Sequence, residues 1–523
     1  MTIDDEATES ARPSTSALWS PQRRNFTAGL VLVITLAAFE AMGIGTALPT
    51  IVREWGAEQW YSWPFTIFMA ASAIGTVVAG RICDRRGPAV PLLVAMPTFA
   101  AGLVLAGFAP GMPVLLVARA LQGLGAGAQI VALYVLIARV YPERDRPAAF
   151  GALSAAWVVP ALLGPVVAGA LTEHVGWRWV FLGLAPLMVL GALLLVPTVR
   201  RIGSEGEPDA APVPGLPLAA VGAAAGTVGL NWAAQDLSGS AGGVQLPVLV
   251  AGLVGLLVLV PSLRVLLPSG TGTGRPGIPV MVLARGLLAG VFFTAQAFVP
   301  LTLSVVHGFS PTAAGVPLTV GSLGWSVGAL WQSRRAGARR EHLVGSGLVL
   351  VAIAVAGLVL IAPAGGSAWP VFVLWSLGGV GMGLGVASTS VRVLALSAPE
   401  QRGFHSSALQ ISDMLGQALL VALGGVLVAA PGPPRGGPPA GGGRGRGGGG
   451  GGRGEGRPGG GPPPGAVNTP HWGGGPGGGV GGGGGGAGGG GGGAPPAGVV
   501  PLDLGLAVIA VLGAVRVFRS GRA

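Results

Sequence analysis

The chain has 523 residues, of which 50% are hydrophobic and only 10% charged, and its mean hydropathy is +0.68. Soluble domains carry about 25% charged residues, so this composition excludes an ordinary soluble protein and predicts a polytopic membrane protein. All 31 basic residues are Arg, which excludes a Walker A loop and Lys-based Schiff-base chemistry. The net charge of +11 would suggest nucleic acid in a soluble protein; here orientation in the lipid bilayer explains it better, and we expect no nucleic-acid partner.

In chain order, fourteen segments reach the roughly 20 apolar residues that a spanning helix needs. They are 27–51, 62–80, 89–109, 113–137, 149–172, 177–198, 216–234, 244–266, 280–304, 312–332, 343–362, 370–391, 405–429 and 499–517. The sequence therefore predicts an all-α integral membrane protein with fourteen spans.

The Arg residues test this count. If the N-terminus is cytoplasmic, 22 Arg lie in the cytoplasmic segments, whereas the short outside loops hold only Arg53 and Arg178. Such a bias is the positive-inside rule. It predicts a multi-pass protein of the cell membrane with both termini in the cytoplasm.

An internal repeat is indicated by two similar loops. Pro142-Glu143-Arg144 follows the fourth span and Pro399-Glu400-Gln401-Arg402 the twelfth, 257 positions later. A weaker match pairs the loops after spans two and ten at an offset near 250, and chance stays an alternative for matches this short. Together they favour two six-helix halves separated by two extra helices, a plan that secondary transporters use to build a midplane site. The predicted divisions are a tail at 1–26, halves at 27–198 and at 280–430 with 499–518, a loop and two extra helices at 199–279, and a linker at 431–498.

The linker is set apart by its composition. Residues 431–500 contain 38 Gly and 13 Pro, a composition that cannot bury a core and predicts disorder. It is interpreted either as a flexible external linker or as a mistranslated GC-rich stretch, and no function is assigned to it.

The loop after the second span carries the first family signature. It reads Gly80-Arg-Ile-Cys-Asp84-Arg85-Arg-Gly87, and it resembles the G-x-L-a-D-r-x-G-r-k motif of the major facilitator superfamily. Pro88 and Ala89 stand where the family has a basic pair.

Three further motifs extend the resemblance to the fourteen-helix drug:proton antiporters. Span four has Arg119-Ala-Leu-Gln122-Gly-Leu-Gly-Ala, and span five has Gly164-Pro165-Val-Val-Ala-Gly169, which is similar to the antiporter motif G-P-x-x-G-G. In span one, Glu40 precedes Ala-Leu-Pro at the spacing where drug antiporters commonly have Asp. The resemblance implies a major facilitator fold and proton-coupled drug export.

Glu40 and Arg119 are the first candidates for proton coupling. A charge inside a bilayer is costly, so Glu40 should be neutral, paired or facing a polar cavity; the alternative is that it merely lines a wet vestibule. Arg119 keeps its charge and needs a partner. Both lie at comparable depth, so we expect them to pair, the alternative for Arg119 being a polar pocket around Gln122.

The motif residues have both structural and functional interpretations. Gly80, Asp84, Arg85 and Gly87 either determine topology or form a conformational latch, in which Asp84 docks on the N-terminus of a helix. The resemblance implies that this helix is span thirteen, near 403–407. Gly164, Pro165 and Gly169 permit close helix packing, which would also restrict leak through the carrier.

The remaining candidates lie in other spans. Asp413 is a second proton site or a structural hydrogen-bonding residue, and Arg285 is expected to reach the nearer membrane surface by snorkelling. Five polar or aromatic residues are candidates to line the substrate cavity, although they could instead pack between helices: Gln122, Tyr134, Trp157, Gln296 and Gln410.

The sequence thus favours a proton-driven exporter of hydrophobic or amphiphilic small molecules that works as a monomer. Alternatives are an exporter of one endogenous metabolite or lipid precursor, a symporter, and a non-transporting receptor or scaffold. The single Cys83 and five scattered His residues have no metal-ligand spacing, and no catalytic motif is present. We therefore expect neither a cofactor nor enzyme activity.

Overall fold

A computed structural model describes residues 18–142, 145–202, 215–239, 246–335, 338–361, 363, 366–398, 401–429 and 499–521. In these ranges the secondary structure is helical throughout, without a strand. The helices are α1 Arg24–Trp55, α2 Trp63–Arg86, α3 Ala89–Gly107, α4 Met112–Val140, α5 Arg146–Ala155, α6 Val158–His174, α7 Arg178–Leu182, α8 Leu184–Ile202, α9 Leu216–Gly239, α10 Leu246–Leu266, α11 Ile278–Val306, α12 Pro311–Ser333, α13 Arg340–Gly357, α14 Pro370–Leu396, α15 Arg402–Ala429 and α16 Val499–Ser520, with 3₁₀ turns at Glu58–Trp60 and Leu358–Ile361.

Thirteen of the described helical segments are long and apolar enough to cross a membrane, and α6 is a shorter apolar helix. This confirms the all-α membrane fold. The predicted linker at 431–498, most of the N-terminal tail and parts of the two repeated loops lie outside the described residues.

Successive spans that short loops join run in opposite directions, and Phe518 near the end of α16 packs on His342 near the start of α13. Arg24, Arg86, Arg139, Arg201 and Arg519 consequently fall at one end of the bundle, which we call the arginine-rich face. The positive-inside rule predicts that this face is cytoplasmic.

The two halves, α1–α8 and α11–α16, use glycine in the same way. A Cβ at Gly123 on α4 would overlap the Phe68 carbonyl oxygen on α2, and a Cβ at Gly379 on α14 would overlap the Gly321 carbonyl oxygen on α12. In each half, therefore, the second and fourth spans meet backbone to backbone. Gly123 and Gly379 are 256 positions apart, close to the offset of the repeated loops, which supports a duplication.

The extra helices α9 and α10 cover one junction between the halves. Ala220 and Ala223 of α9 are buried together with Val77 of α2 and with Ile411 and Leu415 of α15. Because α2 and α15 belong to different halves, this apolar cluster attaches the extra pair to both of them.

The predicted fifth span, 149–172, is wrong as one continuous helix. The chain turns at Ala156 and Trp157, which separates α5 from α6. Pro160 has no N–H, so the Ala156 carbonyl lacks its helical donor; the Thr35 hydroxyl of α1 donates to that carbonyl oxygen instead, at 3.2 Å. The break is thus stabilised by a neighbouring helix.

Candidate functional site

A cavity of about 380 Å³ lies between the two halves near the middle of the spans. Its wall is mainly aliphatic, aromatic and Met side chains, interrupted by several amides. The residues that line it and bear on the argument are Met42, Phe65, Phe68, Ser72, Gln129, Tyr134, Trp157, Arg285, Phe293, Gln296, Trp325, Gln410, Asp413 and Gln417. Arg285 and Asp413 are the charged residues of this lining, and their charges cancel.

Four of the five predicted cavity residues line this space: Tyr134, Trp157, Gln296 and Gln410. Gln122 does not. It is fully buried within the N-terminal half, where its side-chain oxygen accepts a hydrogen bond from Arg119 at 2.7 Å. Gln122 therefore supports the neighbouring ion pair rather than the cavity wall.

Glu40 of α1 and Arg119 of α4 form an ion pair inside the N-terminal half. No more than 1% of either side chain is exposed. Arg119 Nε also donates to the Pro64 carbonyl oxygen at 3.2 Å, and the guanidinium carbon lies 4.3 Å from the centre of the Phe68 ring. The pairing expected from depth is present, together with the Gln122 contact proposed as its alternative, whereas Glu40 does not line the cavity.

Glu40 holds a further buried polar atom. Its Oε2 atom is inaccessible to solvent and has no hydrogen-bond partner. Such an oxygen is costly to bury when it carries charge, and the adjacent Arg119 guanidinium supplies the opposite charge.

A second ion pair lies in the cavity wall of the C-terminal half. Arg285 of α11 donates to Asp413 Oδ2 of α15 at 2.7 Å, and also to the Val386 carbonyl oxygen at 2.9 Å. The exposed fractions of the two side chains are 15% and 18%. The expectation that Arg285 snorkels to the membrane surface is wrong, because the cavity supplies both a carboxylate partner and polar surroundings within the span.

The predicted latch residues lie at the end of α2 on the arginine-rich face. Gly87 ends the helix with a φ of 76°, a conformation that favours glycine. Asp84 and Arg85 are exposed, Gly80 is partly buried, and the latch role of the four residues stays a prediction.

The antiporter motif lies where α6 of one half meets α12 of the other. A Cβ at Gly169 would lie 2.5 Å from the Pro311 carbonyl oxygen, and a Cβ at Gly315 would lie 2.6 Å from that of Pro165. The Thr319 hydroxyl donates to the Leu162 carbonyl oxygen at 2.7 Å across the same junction. Gly164 instead faces Met42 of α1, with more room.

Additional contacts join the halves at the end away from the arginine-rich face. The Tyr61 hydroxyl donates to the Ala297 carbonyl oxygen at 2.6 Å. The Thr312 hydroxyl donates to Glu173 Oε2 at 2.7 Å. Both contacts link an element of one half to an element of the other, so they must break if the halves separate at this end.

Several lining residues were missed from the sequence. Met414 and Gln417 line the cavity beside Gln410 and Asp413, the two residues of this helix that the sequence had indicated, and the spacing of the four places them on one face of α15. That polar stripe was a usable signal for Gln417. Phe68, Phe293 and Trp325 carried no such signal, since aromatic residues are common throughout apolar spans.

Two similar helical halves around a shared central cavity are the architecture of a secondary membrane transporter. The Major Facilitator Superfamily matches residues 30–369. The chain therefore belongs to this superfamily, which comprises transporters rather than enzymes.

Relatives and solved structures are consistent with this family. An uncharacterized MFS-type transporter of Mycobacterium tuberculosis (strain ATCC 25618 / H37Rv) is 32% identical over 423 residues, which are 78% of this chain but 60% of that relative. A probable multidrug-efflux transporter of the same strain is 27% identical, over 73% of this chain and 82% of its own. A POT family transporter in complex with a thioalcohol conjugated peptide shares the fold, with a TM-score of 0.58, 16% identity, and coverage of 79% of this chain and 93% of its own. A bacterial homolog of the human lysosomal transporter Spinster, inward-facing and unoccupied, has a TM-score of 0.54 and 18% identity, covering 79% of this chain and 83% of its own.

Proposed function

We propose that this transporter is a proton-coupled exporter of hydrophobic or amphiphilic small molecules, located in the cell membrane with its arginine-rich face in the cytoplasm. The observation that carries the proposal is the central cavity. Its wall is largely apolar and aromatic, it carries no net charge, and it contains one carboxylate. Such a lining accommodates molecules of varied shape through apolar contact, with amides to orient them.

Alternating access follows from the contacts between the halves. Tyr61 with Ala297 and Thr312 with Glu173 hold them together at the end away from the arginine-rich face. Their separation would open the cavity to the outside, while Asp84 would latch the arginine-rich face. The contacts named for this cycle lie within one chain, so we expect the protein to act as a monomer.

Two carboxylates are available to carry protons. Asp413 is 18% exposed and lines the cavity, where a substrate can reach it, whereas Glu40 is buried inside the other half and does not line the cavity. Each faces an Arg that keeps its charge, so protonation of either acid changes the net charge of its site from zero to positive. The conformational equilibrium shifts when the two conformations accommodate that charge unequally.

The experiment is dye uptake into everted membrane vesicles with an acidic interior. Ethidium, a cation, and Nile red, a neutral dye, probe the proposed substrate class. We expect uptake that needs the pH gradient and collapses with a protonophore, and we expect Glu40→Gln and Asp413→Asn to abolish the gradient dependence. Glu58→Gln is the matched control, because Glu58 is an exposed carboxylate at the end of the bundle away from the arginine-rich face and does not line the cavity.

Other outcomes identify the alternatives. Gradient-dependent proton flux without transport of either dye would favour export of one endogenous metabolite or lipid precursor. Dye movement in the direction of the protons would indicate symport. Absence of any coupled flux from correctly inserted protein would favour a receptor or scaffold and contradict the proposal.

A further inference from the structure

Phe68 borders both the cavity and the Glu40–Arg119 pair. Ala41 and Met42, which follow Glu40 on α1, line the cavity, but Glu40 itself does not. Phe68 of α2 also lines it, and its ring lies under the Arg119 guanidinium at 4.3 Å. Phe68 therefore borders the cavity and at the same time contacts the charged pair.

The other surroundings of the pair leave little room for water. Gly123 of α4 packs on the backbone of α2 at Phe68, and a Cβ at Gly102 of α3 would lie 2.8 Å from the Gln122 backbone nitrogen. These contacts are between backbones, which can yield only if whole helices move. A Phe side chain, in contrast, can change rotamer without any helix shift.

A single helix, α4, supplies the charged group that faces Glu40 in the described part of the chain. Among the described residues, Arg119 of α4 is the charged group that acts on it. Helix α2 contributes two uncharged groups that contact Arg119, the Pro64 carbonyl oxygen and the Phe68 ring.

We infer that Phe68 is a positioning residue that seals the Glu40–Arg119 pair from the cavity and connects the proton site to the bound substrate. Its ring stabilises the Arg119 charge by a cation–π contact and excludes cavity water from Glu40. A substrate that displaces the ring opens a path between the cavity and Glu40, so proton exchange occurs when substrate is present. The coupling part of this inference rests on the proposed function, whereas the sealing part does not.

The first experiment measures access to Glu40 directly and needs no transport. Dicyclohexylcarbodiimide, an apolar reagent, adds to a protonated carboxyl group: the acid proton moves to a carbodiimide nitrogen and the carboxyl oxygen bonds to the central carbon. Labelling of Glu40 is followed by peptide mass spectrometry on the purified full chain in detergent, with Asp413 as an internal reference because it already faces the cavity. We expect Phe68→Leu to label several times faster at Glu40 than the wild-type chain, with unchanged labelling at Asp413.

Two further variants make this test specific. Phe68→Tyr retains an aromatic face over Arg119 and should restore slow labelling. Phe65→Leu is the matched control, since Phe65 lines the same cavity one turn earlier on α2 while the cation–π contact of Arg119 is made by Phe68. Labelling of Glu40 at the wild-type rate in Phe68→Leu, or equal acceleration in Phe65→Leu, would overturn the inference.

The second experiment reads the coupling in proteoliposomes with a trapped pH dye and a clamped membrane potential. We expect Phe68→Leu to conduct protons without substrate and to flatten the pH profile of ethidium uptake, while Phe65→Leu alters only ethidium affinity. If ethidium uptake by the wild-type protein does not depend on the pH gradient, the proposed function is rejected. The labelling experiment then decides by itself whether Phe68 seals Glu40 from the cavity. If wild-type transport depends on the pH gradient and Phe68→Leu is no more permeable to protons than the wild-type protein, the role of Phe68 is rejected while the proposed function stands.

Discussion

Removing one member of the Glu40–Arg119 pair should cost more stability than replacing both members. Two single variants, Glu40→Leu and Arg119→Met, each leave one partner buried, whereas the double variant replaces both with apolar side chains of similar volume. The pair is suited to this comparison because no more than 1% of either side chain is exposed. Solvent therefore cannot compensate for the loss of a partner.

The expected magnitudes follow from the contacts. Removing one member of a buried ion pair costs about 3–5 kcal/mol, while replacing both with apolar groups is often nearly neutral. The double variant also removes the hydrogen bond from Arg119 to Gln122, and a buried polar group left without its partner costs about 1–3 kcal/mol. We therefore expect the double variant to be more stable than Glu40→Leu, although less stable than the wild-type chain.

The two single variants should also differ in their pH dependence. A carboxyl group without a partner can become neutral by taking up a proton, but a guanidinium cannot lose its charge. In Arg119→Met the folded state then binds a proton that the unfolded state releases in neutral solution, so its stability rises as the pH falls. The stability of Glu40→Leu should not recover in this way.

The assay is the unfolding free energy of the purified chain in one detergent, measured for all four proteins at several pH values. Arg285→Met with Asp413→Leu gives the control cycle. Those side chains are 15% and 18% exposed in a cavity, so screening should reduce their coupling toward the roughly 0–1 kcal/mol of exposed pairs. Additive losses in the Glu40–Arg119 double variant would show that the two residues are not energetically linked and would refute the reasoning.

Three further predictions concern other parts of the transporter. Arg285→Ala should raise the affinity for ethidium, measured by equilibrium titration at neutral pH, because it removes the cation opposite Asp413 and leaves the cavity with a net negative charge; an unchanged affinity would contradict this. Gly169→Ala should raise substrate-independent leak in proteoliposomes, since a Cβ there would lie 2.5 Å from the Pro311 carbonyl oxygen, whereas Gly164→Ala, with its nearest atom at 3.4 Å, should not; equal leak would exclude the packing argument. Asp84→Asn should lower turnover while equilibrium dye affinity is retained, since it would weaken the proposed latch, a helix N-terminus contact of the kind that contributes about 0.3–1 kcal/mol when exposed; unchanged turnover would exclude the latch.

Much of the fold could be predicted because a bilayer imposes simple requirements on sequence. Span length, apolar content and Arg placement located the described helices, and the motifs identified the family. The break between α5 and α6 could not be predicted in full, although Pro160 was visible. Whether a proline kinks or interrupts a helix depends on a donor for the freed carbonyl group, and that donor, Thr35, lies 121 positions away in the chain.

The contacts of the site could be predicted only where the depth of a residue along its helix was enough to identify its partner. Glu40 and Arg119 lie at similar depth, and their types demand a partner, so their pairing could be inferred. The partner of Arg285 could not, because snorkelling and pairing fit equally well until the positions of α11 and α15 around the cavity are known. Phe68 was invisible for a different reason: its importance comes from what lies on its two sides, and sequence gives no such information.

The two ion pairs suggest how a proton and a substrate can exclude each other without occupying the same place. With Asp413 ionised, the Arg285–Asp413 pair leaves the cavity without net charge, and a cationic molecule is tolerated there. When Asp413 is protonated, the Arg285 charge is uncompensated. A unit charge about 8 Å from a cationic substrate, at an effective dielectric constant of about 20, repels it by about 2 kcal/mol, equivalent to roughly a thirtyfold loss of affinity. Proton binding would therefore expel a cation by charge alone, while a neutral amphiphile has to respond through contact, and Phe68, which borders both the cavity and Arg119, is the side chain positioned to transmit that contact.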